Sequence, residues 1–113
     1  MSFPMTMVRP QDVLATLYVA GRDLSFVVQL SALERFGPLR IHLDDVTYAL
    51  FTIKEVAPAK KDPAVERRVR RIPKFKDLEL ESLWVAYGND LKSKPLLCLV
   101  SIAPVVRVFY LWR

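Results

Sequence analysis

The chain has 113 residues, 52% of them apolar and 26% charged, with one cysteine, one histidine and a formal net charge of +5. That length predicts a single domain, residues 1–113, and the lone Cys98 and His42 exclude a disulfide framework and any zinc site built from several Cys or His side chains, so neither metal nor cofactor is expected. So high an apolar share predicts strands buried on both faces, or a surface buried in a partner.

In chain order, Met1-Ser2-Phe3-Pro4-Met5 has no charged stretch followed by a long apolar one, so no signal peptide is read and a cytoplasmic, intracellular location is expected. Pro10-Gln11-Asp12 then opens a helix over 10–20, with Val13, Leu14, Leu17 and Ala20 at helical spacing and Gly21 as its stop. Asp23 or Ser25 can cap a second helix reaching Phe36, with Phe26, Val27, Leu30 and Leu33 on one face, ended by Gly37-Pro38. Asp44-Asp45 precede the stripe Val46, Ala49, Leu50, Ile53, which predicts a third helix to about Val56. Val46, Tyr48, Leu50 and Thr52 also alternate, and a strand is the competing assignment.

The segment 60–76, bracketed by Pro58, Pro63 and Pro73, reads as a loop or a short helix around Ala64 to Arg71. Three strand-like runs follow: Leu78 to Tyr87, Leu96 to Ile102 and Val105 to Trp112. From Leu96 to Trp112, 14 of 17 residues are apolar, which touches the about 17–25 residues of a membrane helix. Pro104 and Arg107 interrupt the run, and its β-branched and aromatic content predicts two strands and no membrane contact. The order predicts an α+β fold, N-terminal helices packed on a small C-terminal antiparallel sheet. Such helices cover one side of the sheet, so the other side is expected to need a mate: a homodimer anchored by Tyr110 and Trp112, with Arg107 paired to Glu79 or Glu81. Cys98 is expected in the core, and the scarcity of amides (Gln11, Gln29, Asn89) fits a thermophilic source.

Charge is the feature that bears on function. Residues 60–76 hold 8 of the 17 basic residues and 2 of the 12 acidic ones, a local balance of +6, leaving −1 for the rest of the chain. Such a concentration predicts a docking surface for a polyanion: nucleic acid, DNA or RNA, bound without catalysis by Lys60, Lys61, Arg67, Arg68, Arg70, Arg71, Lys74 and Lys76, with Arg40 alongside and Phe75 as a stacking face. The competing expectation is a regulatory or viral adaptor module whose apolar face (Tyr48, Phe51, Trp84, Tyr110, Trp112) meets a protein partner. His42 beside Asp44 and Asp45 could act as a general base, but a lone His in a turn more often neighbours a helix cap. No nucleophile is placed beside it by spacing, and no catalytic residue is assigned.

Helix two, the Gly37-Pro38 turn, a capped third helix and a basic loop among strands together resemble a winged helix-turn-helix domain over about residues 10–87. The resemblance implies DNA reading by helix three. Its outward face here would be Tyr48, Phe51, Thr52 and Glu55, with no cation, which shifts the expected contact to the loop and Arg40. The combination of helices, antiparallel sheet and basic surface is also similar to the RelE toxin ribonucleases, although their Gly-x-Tyr-Arg strand is absent.

Overall fold

In the computed structural model, which describes residues 8–113, helix α1 spans Pro10–Asp23 with Pro at its first position and Asp12 in its first turn. It runs three residues past the expected end at residue 20, because Gly21 is a packing contact and not a cap. A Cβ there would lie 2.8 Å from the Phe51 backbone nitrogen, so only glycine lets α1 approach the helix that carries Phe51 this closely. The cap is Leu24 in the left-handed region (φ 55°), its N–H donating to the Ala20 carbonyl.

The expected second helix is not one. Phe26–Val28 is a strand, β1, followed by two single helical turns, α2 (Leu30–Leu33) and α3 (Phe36–Leu39), the second containing Gly37-Pro38. Phe-Val-Val suits a pleated surface, and a distant strand offers it an open edge; local periodicity cannot register that edge. Leu30, expected in the buried stripe, is 69% exposed, while Ala32 is buried. The helix on which the winged helix-turn-helix likeness depends is therefore missing.

The third helix, α4, spans Leu43–Thr52, and its stripe Val46, Ala49 and Leu50 is buried. His42 is the N-cap, its backbone N–H donating to the Asp45 carboxylate at 2.8 Å. The helix stops short of Val56 because Glu55–Pro58 forms strand β2. After α5 (Pro63–Arg70), flanked by 3-10 turns at Ala59–Lys61 and Pro73–Phe75, come β3 (Trp84–Asn89), β4 (Pro95–Ser101) and β5 (Val106–Trp112). The first of these strands begins at Trp84 and not Leu78; residues 78–83 are irregular, with Leu80 and Leu83 buried.

The fold is α+β, as expected, but its sheet is larger than the C-terminal one read from the sequence. It has five strands in the order β1-β5-β4-β3-β2, antiparallel except where β1 lies parallel to β5 (Val27 opposite Arg107). α1 and α4 cover one face, with Val13, Leu17, Val46 and Leu50 against Trp84, Cys98, Val100 and Val108. On the other face Val65, Val69, Phe75 and Leu83 pack against Val85, Leu99 and Trp112. Burial on both faces explains the near-continuous apolar runs of β4 and β5.

The open sheet face that required a mate is thus absent, because the basic segment itself covers it. Trp112 is only 6% exposed. Arg107 is half-buried beside Val27 and Ser101 and makes no ion pair among the described residues, and Glu81 pairs with Lys60 instead. No helix among the described residues is long and apolar enough to cross a membrane.

Candidate nucleic-acid interface

The basic segment becomes a helix because its first residues are built to start one. Asp62 accepts from the backbone N–H groups of Ala64 and Val65 at 3.1 and 3.3 Å, and Pro63 occupies the first helical position. The other Asp62 oxygen takes the Tyr87 hydroxyl, which fastens the helix start to β3. The Tyr87 hydrogen bond, joined by the two amides, holds the Asp62 carboxyl below its ordinary range. Burial, then the bond to Asp62, pushes the Tyr87 hydroxyl up to about 12.

With Val65 and Val69 turned to the sheet, the helical period sets Arg68 at the flank of the sheet and turns Arg67, Arg70 and Arg71 toward solvent, and of these three Arg70 is engaged by the chain that leaves the helix. Arg68 lies half-buried, its guanidinium 5.6 Å from the Trp112 ring centroid and donating to the Arg113 carbonyl at 3.3 Å. Arg70 donates to the carbonyls of Phe75, Lys76 and Leu78 at 3.1, 3.0 and 2.9 Å, tying down the chain that leaves the helix. These two hold the fold. Arg67 and Arg71 are exposed, make no ion pair or side-chain hydrogen bond among the described residues, and line a shallow groove of about 420 Å³ with Pro63, Glu66 and Arg70.

The lysines divide in the same way. Lys60 pairs with Glu81 at 2.6 Å and Lys74 with Glu34 at 2.7 Å; both pairs are exposed and easily exchanged for another anion. Lys61 and Lys76 are exposed and unpaired among the described residues. Phe75 cannot serve as a stacking face: it is 7% exposed and packed edge-on against Tyr110, centroids 5.5 Å apart.

Arg40 lies in a second cluster. It closes α3 with φ 55° and lines a polar pocket of about 310 Å³ with His42, Asp45, Asp90, Lys92, Lys94 and Arg113 among others. Arg113 joins the clusters: its carbonyl accepts from Arg68, while its guanidinium donates to Asp90 at 2.6 Å and to the carbonyls of Leu39 and Pro95. Sequence reasoning does not single out Lys92, Lys94 or Arg113. Lys92 and Lys94 alternate in a turn, an ordinary solvated pattern, and only the hairpin and the end of β5 bring them to Arg40.

The apolar residues expected to form one protein-binding face do not form one. Trp84 and Trp112 are core residues on opposite faces of the sheet, Tyr110 is half-buried under Arg35 (5.1 Å), and Tyr48 and Phe51 stack edge-to-face on α4 at 5.6 Å. Of the exposed large apolar side chains, Tyr18, Val19, Leu24, Val27, Leu30 and Leu33 lie along α1, β1 and α2, and Leu43, Phe51 and Leu91 lie elsewhere. His42, exposed at its helix cap, has no nucleophile bonded to it among the described residues. Compared with known protein families, curated proteins and solved structures, the chain matches none.

Proposed function

We propose that this protein binds nucleic acid without catalysis, through the solvent face of α5 and its flanking turns. The observation that carries the reading is that Lys61, Arg67, Arg71 and Lys76 stand exposed on the capped helix and its flanking turns, free of acidic partners among the described residues, with Lys60 and Lys74 in weak pairs beside them. A preorganised helix bearing unpaired cations suits a phosphate backbone, whose counterions are released on binding.

The test is a salt titration of duplex binding with the wild type and with the Lys61→Ala, Arg67→Ala, Arg71→Ala, Lys76→Ala variant. Arg68 and Arg70 are left intact because they support the fold. Each lost phosphate contact should flatten the plot of log K against log salt by about 0.9, so by about three to four in all. A folded variant with an unchanged slope would overturn the assignment.

A second reading is favoured by one observation, the apolar residues along β1. A sheet edge flanked by Leu24, Val27 and Leu30 suits pairing with a protein strand, from a second copy of this chain or from another protein. Such binding would be nearly indifferent to salt, which separates it from the first.

A further inference from the structure

We propose that the pocket between Arg40, His42, Lys92, Lys94 and Arg113 is an oxyanion site that takes a phosphate monoester; it rests on the nucleic-acid reading only for the source of that group, the end of a strand as opposed to a free nucleotide. The walls are fixed by two buried carboxylates whose oxygens are already occupied. Asp90, its side chain 3% exposed, accepts from the amides of Lys92 and Lys94 at 2.8 and 3.0 Å and from Arg113 at 2.6 Å. Asp45 accepts from the amides of His42 and Leu91 at 2.8 and 3.1 Å, which locks the hairpin turn to the start of α4.

Because backbone amides satisfy so much of these carboxylates, the side chains of Arg40, Lys92 and Lys94 are left without an ion pair among the described residues. With Arg113, four cations surround two carboxylates, and the pocket carries +2. That balance suits a phosphate monoester, close to a dianion at neutral pH, and His42 adds a further donor.

Shape separates the two basic clusters. A diester in mid-strand has chain leaving on both sides and needs an open groove, such as the one over Arg67 and Arg71. The pocket at Arg40 is more enclosed, and its volume of about 310 Å³ accommodates a phosphate with the sugar attached to it. Arg113, bonded to both Arg68 and Asp90, links the wall of this recess to the sheet-facing side of α5.

The experiment uses the full chain, isotopically labelled, titrated with inorganic phosphate at fixed ionic strength. Saturable amide shifts at residues 40–45 and 90–94, weakened about tenfold or more in the Lys92→Ala, Lys94→Ala variant, are expected. That variant keeps every backbone amide that holds Asp90. Absence of saturable shifts in this pocket, or shifts of equal affinity in the variant, would overturn the proposal. Paired oligonucleotides then identify the source: a 5′-phosphorylated strand should bind about tenfold tighter than its 5′-hydroxyl counterpart, an advantage lost in the lysine variant and kept in the α5 variant. Equal binding of the two strands with phosphate shifts retained would overturn the strand-end source and assign the pocket to a small phosphate. Loss of duplex binding in the α5 variant alone bears on the proposed function and not on this pocket.

Discussion

Replacing Gly21 by Ala tests the α1–α4 contact on which one layer of the fold rests. In an isolated helix the change would be favourable by about 1 kcal/mol, since Ala restricts the unfolded chain and suits a helix interior. Here the new Cβ would meet the Phe51 nitrogen at 2.8 Å and the Phe51 Cβ and Thr47 carbonyl oxygen at 3.0 Å. Two of these are backbone atoms, so relief requires the helices to separate, and overpacking of this kind costs about 1–3 kcal/mol. The clash offsets or outweighs the propensity gain and leaves a net loss of up to about 2 kcal/mol, or a fall in Tm of up to roughly 10 °C for a domain of this size. Gly37 is the control: it lies in α3, where an added methyl would meet nothing within 4 Å, so Gly37→Ala should raise stability by about 0.5–1 kcal/mol. Calorimetry and urea unfolding followed by circular dichroism would measure both. A Gly21→Ala protein as stable as the Gly37→Ala protein would refute the close approach of α1 and α4.

Arg70→Ala should lower stability by about 1–2 kcal/mol through loss of its charge-assisted bonds to three carbonyls, whereas Arg67→Ala and Arg71→Ala should change it by no more than about 0.5 kcal/mol; equal losses in urea unfolding would contradict the division of the arginines. Cys98 is fully buried and its thiol is pushed up to about 12 by that burial, so native protein should resist thiol reagents and Cys98→Ser should cost about 1–3 kcal/mol; rapid stoichiometric labelling of folded protein would contradict this. Burial by itself would raise the Asp90 carboxyl, but Arg113 and the amides of Lys94 and Lys92 outweigh it and hold the group below its ordinary value. Its stabilisation is therefore present above about pH 4 and lost as pH falls through the lowered folded value, and Asp90→Asn should flatten that acid limb; an unchanged limb in acid unfolding would count against the buried pair.

The features legible in the sequence are those decided within a few residues. Pro10 and Asp12 start α1, and the stripe Val46, Ala49, Leu50 marks the buried side of α4, because periodicity and capping act over one or two helical turns. The paired runs ending in β4 and β5 and the concentration of cations in 60–76 are equally plain. Tertiary structure decided the rest. Phe26–Val28 is a strand because β5, far along the chain, has an edge for it, and Gly21 is a contact because Phe51 lies against it. The arginines of α5 and its C-cap look alike in sequence and differ in the fold: Val65 and Val69 face the sheet, which puts Arg68 over Trp112 and leaves Arg67 in solvent, while the chain leaving the helix brings three carbonyls to Arg70. The pocket of Arg40, Lys92, Lys94 and Arg113 joins a helical turn, a hairpin and a strand end, and no local rule can foresee a meeting of segments that sheet pairing alone brings together.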